Sequence, residues 1–291
     1  MFFILEIILF IIIIFAIICL VVSHFDTRRF VIKNYDIDSD KVTKDLKICL
    51  LTDLHGMTYG KDNIDLISKI DENSPDIVII AGDIITASHP EDSFAKEKKF
   101  LRNISKKYKV YVANGNHEYK TKKLTDIYGD FYDEYKAYLE SIGIVLLEND
   151  SINLHAENIH LTGLELAHYY FGHFYKRKME KDYLEKTIGI ADKDKCNILI
   201  AHNPQYFEEY AAWGADITVS GHVHGGIMKL PILGGVISPA LILFPKYDGG
   251  KFEHQNKNMI LSRGLGVHTI KLRIFNPGEL VFINIKRFEK R

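Results

Sequence analysis

The chain has 291 residues, 47% hydrophobic and 26% charged, enough for one sizeable domain or two small ones. Its 37 basic and 38 acidic residues leave a formal net charge of -1, which gives no electrostatic footprint for a nucleic-acid partner. Three cysteines, Cys19, Cys49 and Cys196, lie scattered in apolar runs without metal or redox spacing, which excludes a disulfide scaffold and predicts buried thiols.

Residues 2–22 are apolar except for Glu6. At 1.5 Å per residue, that run is about long enough to cross a hydrocarbon core of roughly 30 Å. A cleaved signal peptide would want a basic leader, a shorter apolar core and small residues at a cleavage site, and none is here. The stretch therefore predicts a retained single-span membrane anchor over 1–23. Residues 1–23 hold no Lys or Arg, whereas Arg28, Arg29 and Lys33 follow closely. The positive-inside rule then favours the cytoplasmic face for the rest of the chain and leaves the other face open. Residues 24–46 are mixed and polar, a juxtamembrane linker leading into an edge strand. Residues 47–291 read as one domain without repeats or low-complexity tracts.

Within that domain, 47–51 is a buried strand that ends in Asp53 and His55. Residues 62–72 place Ile64, Ile67 and Ile70 at helical spacing behind a polar cap at Asp62 or Asn63. A second strand, 76–81, ends in Gly82 and Asp83, and 91–107 is a charged helix with Phe94, Leu101 and Ile104 on one stripe. A third strand, 109–113, runs into N-G-N-H-E; an aromatic-rich helix over 126–141 stops at Gly143. Strand-like runs follow at 144–148, 151–155 and 158–163, then a basic aromatic segment at 169–178 and a helix near 179–188. Residues 196–201 form a strand ending in His202, 204–212 a helix, and 216–220 a β-branched strand broken by Gly221. Residues 227–257 are loop-rich. Alternating strands at 259–262, 271–274 and 280–285 close the chain, with a turn at 276–278. This order predicts an α/β fold: two stacked mixed sheets flanked by helices.

Five apolar strands thus end in Asp, Asn or His. In open α/β sheets ligands collect at the carboxyl ends of strands, so the five ends can converge. His222 and His224, two apart in an extended segment, would face one cavity. Asp53, His55, Asp83, Asn116, His202, His222 and His224 are seven oxygen or nitrogen donors with no thiolate. If one carboxylate bridges, they supply four bonds to each of two metals, a clamp suited to in-line displacement at phosphorus. Each motif alone is ordinary: Gly82-Asp83 is a common turn, and N-G-N-H makes a tight turn unaided. The ordered set at five strand ends is not.

That set, D-L-H at 53–55, G-D at 82–83, G-N-H-E at 115–118, His202 and G-H-V-H at 221–224, resembles the calcineurin-like metallophosphoesterase superfamily over residues 47–226. The resemblance implies a four-layer β-sandwich wrapped by helices, with a two-metal centre at one edge. It implies one metal held by Asp53, His55, Asp83 and His224, and another by Asp83, Asn116, His202 and His222, with Asp83 bridging. His117 would be no ligand but would stand beside the phosphate, steadying the transition state or protonating the leaving oxygen. Purple acid phosphatases place a ligand Tyr where this chain has Thr86, and Ser/Thr protein phosphatases a phosphate-binding Arg where it reads G-D-I-I-T. The tail, at 262–266 and 277–280, is more similar to a bacterial membrane-anchored or exported branch. Some of its members hydrolyse the pyrophosphate of a UDP-acyl-sugar lipid, as UDP-2,3-diacylglucosamine pyrophosphatases do.

The expectation is a membrane-anchored phosphoesterase cleaving a phosphodiester, pyrophosphate or phosphomonoester through a metal-bridging hydroxide, on a substrate that can be lipid-linked. Mn²⁺, Fe or Zn²⁺ suits the donor set. Two alternatives stand: a hydrolase of soluble nucleotides or phosphomonoesters that the anchor only localises, and a metal-binding membrane scaffold without catalysis. The apolar run 236–244 either packs under the terminal strands or meets acyl chains. Tyr169, Tyr170, Phe171, His173, Phe174, Lys176 and Arg177 form either a surface segment or a lid over a phosphate. His168 and His173 are expected at surface positions.

Overall fold

The computed structural model describes residues 2–172, 176–230, 234–237, 243–267 and 271–288. Helix α1 (Phe2–Asp26) is long and apolar enough to cross a membrane; its 18-residue window of mean hydropathy 3.5 is only 6% buried. The core helix of a soluble protein would be mostly buried.

One six-stranded sheet contains β1 (Phe30–Ser39), β2 (Leu46–Leu51), β3 (Ile77–Ala81), β4 (Lys109–Ala113), β5 (Val145–Leu146) and β14 (Gly278–Arg287). Their spatial order is β1-β14-β2-β3-β4-β5, with β2 to β5 parallel and β14 antiparallel to β2. The second sheet contains β6 (Asp150–Leu154), β7 (Ile159–Leu164), β8 (Cys196–Ala201), β9 (Ile217–Ser220), β12 (Gly250–His254) and β13 (Lys257–Leu261), ordered β12-β13-β9-β8-β7-β6. A two-stranded ribbon, β10 (Met228–Leu230) with β11 (Gly234–Ile237), stands apart.

Strand alternation explains the layering. Ile48, Leu50, Ile79 and Val281 face Leu161, Ile198, Ile200 and Val219 of the other sheet. Cys49, Leu51, Val78 and Phe282 point the opposite way, onto α2 (Ile64–Asn73), α3 (Pro90–Ser105) and α6 (Phe131–Ser141). On the far side, Leu199 and Ala201 meet Leu184 of α7 (Tyr183–Ile188) and Tyr210 of α8 (Phe207–Trp213). The result is a helix-sheet-sheet-helix sandwich. Strands buried on both faces must be apolar at every position, which is why they read as continuous runs. All three cysteines are free and buried, as expected.

The edge strand expected within 24–46 is β1, which lies outermost in its sheet and pairs in parallel with β14 from Phe30↔Gly278 onward. Several local expectations are corrected. N-G-N-H at 114–117, for which a tight turn is one reading, leads directly into α4 (Asn116–Lys123), a helix that the sequence reading does not assign. The aromatic helix is two pieces, α5 (Thr125–Tyr128) and α6, separated at Gly129, whose φ of 55° is left-handed. The loop-rich segment holds β10, only three residues long, and β11 and β12, whose glycines masked their strand character. Residues 271–274 form no strand; Ile274 makes a single bridge to Met228. Of the apolar run 236–244, Val236 and Ile237 lie in β11 and Leu243 and Phe244 are exposed, while 238–242 fall outside the described residues. His173 and Phe174 also fall outside them.

Candidate metal centre

The loops after β2, β3, β4, β8 and β9 meet at one edge of the sandwich. Backbone bonds lock the first two: the Asp53 N–H donates to Gly82 O at 3.0 Å and the His55 N–H to Asp83 O at 3.1 Å. The third loop approaches so closely that a Cβ at Gly115 would overlap the Asp83 carboxylate, and the fifth so closely that one at Gly221 would overlap Asp53. Asp53, His55, Asp83, His222 and His224 all have positive φ, between 51° and 75°. Left-handed backbone costs an L-residue about 1–3 kcal/mol, and such strain persists only where surrounding structure over-determines it. His222 and His224 are therefore not in the extended segment that their spacing suggested. Each turns separately, and they reach different donor groups.

Those groups are Asp53, His55 and His224 on one side and Asp83, His202 and His222 on the other, with a third, His55, Asp83 and His117, between them; each has ligand atoms within 4.8 Å of one another. Asp83 joins them. Its Oδ2 lies 3.0 Å from His202 Nε2, 3.8 Å from His55 Nε2 and 4.0 Å from His117 Nε2. That oxygen is buried with no hydrogen-bond partner, while Oδ1 accepts the His117 N–H at 2.9 Å. Asn116 follows Gly115 directly, and its Oδ1 is likewise buried with no hydrogen-bond partner. Asp53 Oδ1 is 3.4 Å from His224 Nε2 and 3.8 Å from His202 Nε2; both Asp53 oxygens accept the His222 N–H, at 3.0 and 3.1 Å.

The imidazoles are sorted by what lies behind them. His55 Nδ1 is 3.1 Å from Ile85 O, His202 Nδ1 2.6 Å from Ala81 O and His224 Nδ1 3.2 Å from Gly266 O. A carbonyl only accepts, so each Nδ1 carries the proton and each Nε2 lone pair points into the cluster, as a ligand's must. His117 is reversed. Its Nδ1 accepts the Ala87 N–H at 2.8 Å, so the neutral ring carries its proton on Nε2. It offers a proton where the others offer a lone pair.

The pocket calls for positive charge, and short of a cation His202 takes it up as a second proton, on Nε2. Burial would lower the His202 pKa, but the Asp83 and Asp53 carboxylates outweigh it and push it up to about 10. Burial holds His117 below its ordinary value despite the neighbouring Asp83. Two buried carboxylates in a low-dielectric pocket demand positive charge, and the N/O donor set fits divalent cations.

Among the described residues of the basic aromatic segment, Phe171 reaches the site: its ring centroid lies 5.1 Å from that of His222 and 6.3 Å from that of His202. Lys176 instead pairs with Glu209, and Arg177 stacks on Tyr169. His168 is exposed, as expected.

Glu118 carries a role that the sequence reading left unassigned. Its buried carboxylate accepts the N–H groups of Asp83 and Gly115, each at 2.9 Å, and of Ile85 at 3.1 Å. It thereby stitches the second loop to the third. The one trace in the sequence is its spacing, Glu118 three residues after Gly115, which the structure shows to be the capping-box position of α4. Glu118→Ala orphans three buried donors, and at about 1–3 kcal/mol each the expected destabilisation is roughly 3 kcal/mol or more by urea unfolding. A loss under about 1 kcal/mol would show that water replaces the carboxylate.

A strained, buried cluster of carboxylates and Nε2 lone pairs, with one proton-bearing imidazole beside it, is the arrangement of a metal centre. The family description for calcineurin-like phosphoesterases matches residues 46–226, and the chain belongs to that family. A Helicobacter pylori protein described as an uncharacterized metallophosphoesterase is 28% identical over 262 residues, covering 87% of this chain and 63% of its own length. An Aquifex aeolicus protein of the same description is 23% identical over 268 residues, covering 91% of this chain and 95% of its own. A Danio rerio transmembrane protein with a metallophosphoesterase domain is 27% identical over 252 residues, covering 83% of this chain and 53% of its own. The chain thus spans 63% of the length of the Helicobacter relative.

Proposed function

We propose that this chain is a membrane-anchored two-metal phosphoesterase that cleaves a phosphodiester or pyrophosphate presented at the membrane surface, a lipid-linked one by preference. The observation that carries the two-metal reading is the place of Asp83 Oδ2, a buried oxygen shared between two sets of imidazole nitrogens. Asp53, His55, Asp83 and His224 hold one metal; Asp83, Asn116, His202 and His222 hold the other. Bound divalent cations supply charge neutralisation at the phosphoryl oxygens and an acidified water as nucleophile. Asp83 fixes the spacing of the two sites, and the carbonyls behind His55, His202 and His224 hold their rings in the ligating tautomer. His117 directs its Nε2–H at the phosphate or the leaving oxygen.

The membrane reading rests on the length and exposure of α1 and on what surrounds the metal loop. Gly226 leads straight into the β10–β11 ribbon, which bridges to Ile274 on one side and Leu243 on the other. Leu243, Phe244, Leu272 and Phe275 are exposed along this rim, next to the loop that bears His222 and His224. Such a patch suits acyl chains or the bilayer interface. A relative whose name calls it a transmembrane protein supports the anchor. Arg28, Arg29 and Lys33 favour the cytoplasmic face.

The test compares full-length protein in nanodiscs on bis(p-nitrophenyl) phosphate and on a lipid-linked pyrophosphate, with added Mn²⁺. We expect kcat/KM on the lipid substrate to exceed that on the soluble ester by about 100-fold or more, the size of a few kcal/mol of remote binding. Equal or higher efficiency on soluble nucleotides would make the anchor a localisation device only. Bound metal without turnover on any ester would favour the scaffold.

A further inference from the structure

The last turn of α1 does not end in a free tether. Ser23 and Asp26 are 4% and 1% exposed, on a helix whose other residues are mostly bare. Ser23 Oγ accepts the Arg273 N–H at 3.1 Å, and Asp26 Oδ2 accepts the Asn276 N–H at 2.9 Å. Both donors, Arg273 and Asn276, are fully buried, and their side chains continue inward. The Asn276 amide nitrogen donates to His224 O and Gly226 O, each at 2.7 Å. Between them lies a run of three left-handed residues, His224, Gly225 and Gly226, with φ of 52°, 70° and 87°. One amide thus clamps both ends of a backbone segment that would otherwise relax. The Arg273 guanidinium donates to Gly266 O at 2.7 Å, and Gly266 O is the atom that faces His224 Nδ1 at 3.2 Å.

We propose that the C-terminal turn of α1 is a positioning element of the metal centre, with Asp26, Asn276 and Arg273 as positioning residues for His224. This rests on the two-metal reading above. The relay reaches His224 through its own carbonyl and through the carbonyl behind its ring, and it touches none of Asn116, His202 or His222. It therefore acts on the metal held by Asp53, His55, Asp83 and His224 and leaves the other in place. The membrane helix and one metal site are a single hydrogen-bonded unit, so the centre stands at a fixed position relative to the bilayer.

The experiment measures metal content and Mn²⁺ affinity in full-length protein in nanodiscs, alongside melting temperature. Wild type should bind two metals. Asp26→Ala should bind one as before and the second about 10- to 100-fold more weakly, the range seen when an outer partner of a ligand is lost. Asp26→Asn keeps an acceptor for the Asn276 N–H and should hold both metals within about threefold of wild type. It also loses the charge of its pair with Arg29, whose side chain is 60% exposed while Asp26 is 1% exposed, and the melting temperature reads that loss separately. Unchanged affinity at both sites in Asp26→Ala overturns the relay, as does equal weakening of both metals with a lowered melting temperature. If Asp26→Ala does not fold, Ser23→Ala carries the same test: selective weakening of one metal supports the relay and unchanged binding overturns it. A wild type that binds fewer than two metals overturns the two-metal reading instead.

Discussion

Asp83→Asn is expected to lower turnover at least about a thousandfold while the melting temperature moves only a few degrees, a loss of roughly 4 kcal/mol of transition-state stabilisation. The fold survives because the replacement is nearly isosteric and the backbone welcomes it. Asp83 sits at φ 56°, a conformation that Asn tolerates at least as well as Asp. The amide oxygen can still accept the His117 N–H that Oδ1 accepts now, at 2.9 Å. The function does not survive, because the second oxygen is what two donor groups share. An amide nitrogen at the place of Oδ2, 3.0 Å from His202 Nε2 and 3.8 Å from His55 Nε2, is no metal ligand, and half of the site's formal carboxylate charge is gone. Metal analysis and turnover on bis(p-nitrophenyl) phosphate check this together. Activity above about a tenth of wild type would remove Asp83 from the bridging role, whatever the metal content.

Why this residue could be picked out from sequence, and Asn276 could not, is a matter of where apolar periodicity carries information. Strands β2, β3, β4 and β8 are buried on both faces, so they read as largely apolar runs, and the first site residue follows within three positions of each end. Helix α4 was invisible for the opposite reason. The residues it buries are Glu118 and Thr121, both polar, because its inner face serves the loops and not the core. No apolar stripe marks it. The left-handed backbone at Asp53, His55, Asp83, His222 and His224 was equally hidden: it is imposed by tertiary hydrogen bonds such as His55 N–H to Asp83 O, and spacing alone suggested extended chain. Asn276 acts across 52 residues of chain and Arg273 across 7, both on carbonyls, which any residue supplies. A contact to a carbonyl leaves no trace in the partner's side chain.

His117→Ala is expected to lower kcat by about 10²–10⁴ and to leave both metals bound. The prediction turns on one hydrogen bond. Ala87 N–H occupies His117 Nδ1 at 2.8 Å, so the only atom the neutral ring can present to the cluster is a protonated Nε2. It lies 4.0 Å from Asp83 Oδ2, beside the donors and not among them in tautomer. A group that supplies a proton matters in proportion to how badly the leaving oxygen needs one. The loss should therefore be near the upper end for an alkoxide leaving group and far smaller for p-nitrophenolate, which departs unaided near neutral pH. Rates for His117→Ala and wild type on esters spanning that range of leaving-group basicity make the comparison. A loss independent of the leaving group would move His117 from proton donor to stabiliser of charge on the phosphoryl oxygens. A parallel loss of metal would make it a ligand, and the tautomer imposed by Ala87 would then have to reverse on binding.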